Sequence, residues 1–125
     1  MKLHRDRIVG QNIVTAFGEG YVEVNGLRHT SSLLLMPQNL EAGWGSAGFE
    51  ALCEADFAQL AALECDVLLL GTGRRQRFPE PSLLQPLMAA RIGFEVMDSA
   101  AAARTYNILV AEGRKVVAVL LLDRP

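Results

Sequence analysis

The residues best suited to holding an anion are grouped in one run, Gly71-Thr72-Gly73-Arg74-Arg75-Gln76-Arg77. Glycines let a backbone approach a ligand closely, and guanidinium groups bind carboxylate and phosphate through paired N–H donors. The run follows the apolar stretch Val67 to Leu70, and open α/β sheets bind ligands beyond the carboxyl ends of their strands. It has neither the G-x-x-x-x-G-K-S/T spacing of a P-loop nor the G-x-G-x-x-G of a dinucleotide fold. A tight turn carrying solvated arginines is the plainer account.

A second candidate is the segment from Asp98 to Asn107, Asp98-Ser99-Ala100-Ala101-Ala102-Ala103-Arg104-Thr105-Tyr106-Asn107. Helical spacing places Ala102, Tyr106, Leu109 and Val110 on one apolar stripe. Arg104 and Asn107 share a second stripe with Ala100, Ala103 and Ala111. Small residues bearing one arginine and one amide suit close packing against another surface. A parallel arrangement brings the helix start near Asp98 to the same sheet edge as the Gly71 loop, where an anion would meet free N–H groups and the helix dipole. The alternative is an ordinary surface helix with alanine chosen for propensity.

Other reactive residues make no constellation. Cys53 and Cys65 are the two cysteines; without a Cys-x-x-Cys pair they read as reduced, small hydrophobes. His4 and His29 lack metal-ligand spacing, so no metal is expected. No Gly-x-Ser-x-Gly elbow is present. Secondary binding candidates are Arg74, Arg114 beside the Gly113 helix stop, and Trp44, which is either an exposed anchor or a lid on the core. No catalytic residue is assigned.

The elements that position these residues follow from periodicity. Asn12 to Phe17 and Tyr21 to Val24 read as strands, and Asn25-Gly26 is a type I′ hairpin pair leading into Leu27 to Thr30. Ser32 to Met36 is a buried strand closed by Pro37. The glycines of Gly43-Trp44-Gly45-Ser46-Ala47-Gly48 predict a loop. Glu54 to Leu63 has helical spacing, and Asp66 to Gly71 has the continuous apolarity of an inner parallel strand. A helix opens at Ser82 through a capping box with Gln85, carries Pro86 in its first turn and stops at Gly93. Phe94 to Met97 is a strand. Asp98 or Ser99 caps the helix Ala100 to Ala111, Gly113 closes it, and Lys115 to Leu122 is the last strand. Strands alternating with helices after an early hairpin give a mixed sheet in a layered α/β domain.

Composition bounds the function. The chain has 125 residues, half of them hydrophobic, and a net charge of −2. That is one domain of ordinary size with enough apolar material for a core. Near-neutral charge and few aromatics argue against nucleic-acid binding through Arg74, Arg75 and Arg77. The start, Met1 to Arg7, lacks the apolar region of a signal peptide. The apolar runs Val67 to Leu70 and Val116 to Leu122 are far short of the roughly 20 residues that span a bilayer. The expectation is a cytoplasmic protein without direct membrane insertion.

One combination of residues is distinctive. Val96-Met97-Asp98-Ser99 continues through Ala103-Arg104-Thr105-Tyr106-Asn107-Ile108-Leu109 to Glu112-Gly113-Arg114, and Leu70-Gly71-Thr72-Gly73 follows an apolar strand. With the Tyr21 to Gly26 hairpin and Trp44, this pattern resembles a family of unknown biochemical function that includes the mitochondrial respiratory complex I assembly factor 3. The resemblance runs from about Ile13 to Leu122. Ser99 stands where threonine is frequent in the family, and the arginines after Gly73 lie outside the shared motif. The resemblance implies a three-layer α/β fold over residues 1–125 with a central mixed, mainly parallel sheet, and no cofactor. It implies a bacterial-type stand-alone member that works through protein contacts, with an unidentified protein partner. The expected surface comprises Gly71, Thr72, Gly73, Asp98, Arg104, Tyr106 and Asn107. The alternative function is binding of, or catalysis on, a small anionic metabolite in a cleft near Gly71-Thr72-Gly73.

Overall fold

The computed structural model describes residues 10–123; His4 and the charged amino-terminal run lie outside them. Two sheets form. The first is antiparallel, in the order β1 (Val14–Gly18), β2 (Tyr21–Val24), β3 (Leu27–His29). Asn25 and Gly26 have φ of 52° and 83°, the left-handed pair that a type I′ turn requires.

The second sheet comprises β4 (Leu33–Met36), β5 (Asn39–Ala42), β6 (Val67–Gly71), β7 (Gly93–Met97) and β8 (Val116–Leu120), in the order β5-β4-β8-β6-β7. Strand β6 pairs parallel with both β7 and β8, while β4 pairs antiparallel with β8 and β5. The sheet is therefore mixed, with parallel pairings confined to one half. The β5 sequence, Asn39-Leu40-Glu41-Ala42, has one large apolar residue. An edge strand needs no more, so hydrophobic pattern alone does not reveal it.

Alternation along the strands sends side chains to two cores. Leu33, Leu35, Leu69, Val116, Ala118 and Leu120 pack with Val22 and Val24 of the small sheet and with Ala102, Ala103, Tyr106 and Val110. The last four belong to the long helix Ser99–Ala111, here α3. The opposite face, including Leu34, Leu68, Leu70, Val117 and Val119, meets Phe57, Leu60, Leu84 and Leu87. These come from α1 (Glu54–Ala61), a 3-10 turn (Pro81–Leu84) and α2 (Gln85–Ala89). The outcome is three layers, with the small sheet and α3 side by side on one face.

Two local expectations are corrected. Ser82 makes no side-chain cap; Pro81–Leu84 is a 3-10 turn, and the α-helix starts at Gln85. Pro86 lacks the N–H that would bond back to residue 82, so it sits only where a helix begins. The helix does not stop on Gly93, which opens β7; the left-handed residue is Arg91, with φ 59°. Gly113, in contrast, has φ 79°. Its N–H donates to Val110 O at 2.9 Å and that of Arg114 to Leu109 O at 3.0 Å, the paired bonds of a Schellman stop.

Candidate functional site

The Gly71 loop and the start of α3 meet at the carboxyl ends of the parallel strands. The Thr72 N–H donates to Met97 O at 2.9 Å, and the Ser99 N–H donates to Gly73 O at 2.8 Å. In return the Gly73 N–H donates to Ser99 Oγ at 2.8 Å, and that hydroxyl donates to Leu121 O at 2.6 Å. Ser99 is thus a buried bolt joining the loop, the helix and the end of β8. Gly71 is required by space: a Cβ there would lie 2.8 Å from Val119 O and 3.0 Å from both Ala102 Cβ and Ser99 Cα. Thr72 is fully buried. Its hydroxyl donates to Arg75 O at 2.6 Å and accepts from the Arg77 N–H at 2.9 Å. Asp98 caps the helix by accepting from the Ala101 N–H at 2.8 Å.

These bonds occupy the main-chain N–H groups of Thr72, Gly73, Arg77, Ser99 and Ala101. The Arg74 N–H is also taken, by Asp123 Oδ2 at 2.8 Å. The arginines are not a free cluster either. Arg74 pairs with Glu19 at 2.8 Å across exposed surface. Arg77 donates to Thr72 O at 2.8 Å, lies 3.4 Å from Asp123 and stacks on Phe49 with 4.6 Å to the ring centroid. A cleft of 340 Å³ remains beside the loop, with Phe17, Leu121, Glu19, Asp98, Asp123 and Arg74 on its walls. Its lining carries three carboxylates and one guanidinium, a balance that repels anions.

Further along α3, Tyr106 and Asn107 bind the small sheet. The buried Tyr106 hydroxyl donates to Asn12 O at 2.9 Å; burial pushes this phenol well above the usual tyrosine range. The Asn107 amide accepts from the Val14 N–H at 2.9 Å and donates to Val14 O at 2.7 Å. It thereby stands in for a neighbouring strand on the outer edge of β1. Arg104 and Asn107 line one groove with Ala100, Ala103 and the β1 residues Val14, Thr15, Ala16 and Phe17, and within it Asn107 is spent on Val14. Arg104 is exposed. Among the described residues no carboxylate pairs with it. One turn on, Ile108 is 58% exposed.

The secondary candidates separate. Trp44 is buried, and its Nε1 donates to Gln59 Oε1 at 3.2 Å, so it is a lid between sheet and α1. Arg114 lies at the opposite end of the sheet, on a groove of 410 Å³ shared with Met36, Pro37, Cys65 and Val117. Burial, followed by the Asp66 charge, pushes the Cys65 thiol up, which favours its protonated form. Glu19, Asp123 and Ile108 are the residues that sequence reasoning did not select. Glu19 and Asp123 have no local signal, since their partners lie 55 and 49 positions away. Ile108 could have been found as an apolar residue opposite the Ala102 and Tyr106 stripe.

Among the described residues no group of three or more histidine, cysteine, aspartate or glutamate side chains could hold a metal ion, and no helix is long and apolar enough to cross a membrane. The chain is 36% identical over 110 residues to an uncharacterized Rhodobacter capsulatus protein, covering 86% of this chain and 82% of the relative. It is 30% identical over 121 residues to bovine NADH dehydrogenase [ubiquinone] 1 alpha subcomplex assembly factor 3, covering 95% of this chain but 65% of the bovine protein. A crystal structure from Bordetella parapertussis is 45% identical, with a TM-score of 0.84 over 91% of this chain and 98% of that one. The family profile described as Protein of unknown function (DUF498/DUF598) matches residues 14–121, and the chain accordingly belongs to that family.

Proposed function

We propose that this chain is a protein-docking domain of the assembly-factor type, and that it meets its partner through the outer side of α3. The observation that carries this reading is an asymmetry in how polar and apolar groups are used. Ser99, Tyr106 and Asn107 spend their polar groups inside the fold, while Arg104 and the exposed Ile108 stand outward one helical turn apart. A cation beside an exposed aliphatic side chain is the composition of an interface anchor rather than of a reaction centre. The relatives named as assembly factors support a role in building a multi-subunit complex. Respiratory-complex biogenesis is the specific form of this proposal.

The test is affinity capture from the native lysate, comparing wild type with Arg104→Ala and Ile108→Asp. Both variants are expected to keep the wild-type unfolding midpoint and to lose at least about tenfold in recovered partner. A Met88→Ala control, on α2 across the sheet, is expected to recover wild-type amounts. Equal recovery by all four proteins would remove the α3 face from the function.

The second reading, a small anionic ligand at the Gly71 loop, is favoured by the cleft's position at the carboxyl ends of β6 and β8. Its carboxylate lining and occupied N–H groups place that reading below the first.

A further inference from the structure

The docking reading leaves open what the outer side of α3 fits, and the charge pattern of that side points to one occupant. Arg104 and Ile108 on α3 and Glu112 at its C-cap are spaced four apart, so they run in one line along that side of the helix. Arg104 and Glu112 are exposed, Ile108 is 58% exposed, and among the described residues neither charge has an ion-pair partner. The flanking residues are small. Ala101 and Thr105 are half-buried, and Ala111 is exposed. Small neighbours let two helices approach to roughly 8–10 Å between axes.

We infer that this face is self-complementary and that its occupant is a second copy of the chain. The inference rests on the reading of α3 as the docking face. Two copies of α3 related by a two-fold axis through Ile108 run antiparallel. Ile108 then meets Ile108 of the second copy. Arg104, four residues to one side of the axis, faces Glu112 of the second copy, and Glu112 faces the other Arg104. An isologous contact uses the same patch twice, and here one patch supplies the apolar centre and both signs of charge. A foreign partner would have to bring the opposite charge order, whereas a second copy already carries it. Helix-on-helix contact alone is smaller than the roughly 1,200–2,000 Å² of a stable complex. The expected dimer is therefore weak, with a dissociation constant on the order of 100 µM.

Sedimentation equilibrium of the full chain from about 10 to 500 µM spans that range by mass action. Wild type is expected to shift from monomer to dimer across it. R104E sets two pairs of glutamates against each other, and E112R sets two pairs of arginines. Each single variant is expected to weaken the dimer at least about tenfold, and the double variant R104E/E112R to restore it to within about threefold of wild type. Circular dichroism checks that all three keep the fold. A wild type that stays monomeric at the highest concentration overturns the inference, as does a double variant no better than the singles. If self-association ignores these charges while partner capture still needs Arg104 and Ile108, the dimer falls and the docking reading stands. If the charge swap behaves as expected while capture ignores both residues, self-association stands by itself.

Discussion

The inner and outer sides of α3 put their residues to opposite uses. On the inner side a serine, a tyrosine and an asparagine each bond to main-chain groups far away in sequence, at Leu121, Asn12 and Val14. On the outer side an arginine, an isoleucine and a glutamate project into solvent. The inner side is thus expensive to alter for the fold, because each change strands a main-chain donor or acceptor away from water. The outer side is open to change without harm to the fold and is where recognition has room to act. A polar residue in a distinctive motif is therefore no sign of ligand chemistry until the destination of its hydrogen bonds is known.

The sharpest way to break this contrast is at Gly71. Gly71→Ala forces a methyl group against Val119 O, a backbone atom that cannot swing aside. A loss of about 3 kcal/mol is expected by urea unfolding. A loss below about 0.5 kcal/mol would mean that the junction is loose and that the glycine serves something other than packing.

Asn107→Ala comes next. It removes both bonds to Val14 and leaves that peptide unpaired on the outer edge of β1, for a loss of roughly 1–2 kcal/mol. Amide exchange should quicken in β1 and stay slow in β8, whose five residues are all buried. Uniform acceleration in both strands would show that Asn107 acts on global stability instead of tethering the small sheet.

A third effect shows mainly in alkali. The Tyr106 phenol is raised by burial, while the unfolded phenol ionises near pH 10. Above about pH 10 the unfolded chain binds fewer protons than the folded one, so stability falls as pH rises, by up to roughly 1.4 kcal/mol per unit. Below that pH this contribution is complete. Tyr106→Phe should flatten the alkaline slope in unfolding experiments while lowering neutral stability by about 1 kcal/mol through the lost bond to Asn12. An unchanged slope would assign the alkaline transition to another group.

Much of this was legible from residue order. The Asn25-Gly26 turn, the apolar β6, a helix cap at Asp98 or Ser99, the Ala102 and Tyr106 stripe and the Gly113 stop all depend on neighbours within a few positions, where backbone sterics and side-chain period act directly. The start of α2 departs from local pattern because Ser82 and Gln85 match a capping box while the nearby prolines decide where α-helical bonding can begin. Strand β5 went unread because its partner β4 supplies the burial that its own residues do not display.

The candidate site divides in the same way. Residue order alone determined that Gly71-Thr72-Gly73 ends a buried strand and that a helix starts at Asp98 or Ser99. Only the tertiary structure decided that Ser99 closes the space between them, that Asp123 and Glu19 offset Arg74 and Arg77, and that Asn107 spends its amide on Val14 of β1 while Arg104 stays exposed. Hydrogen bonds and charge pairs across 22 to 93 positions depend on how the layers stack, and stacking is settled by the whole core rather than by any one segment.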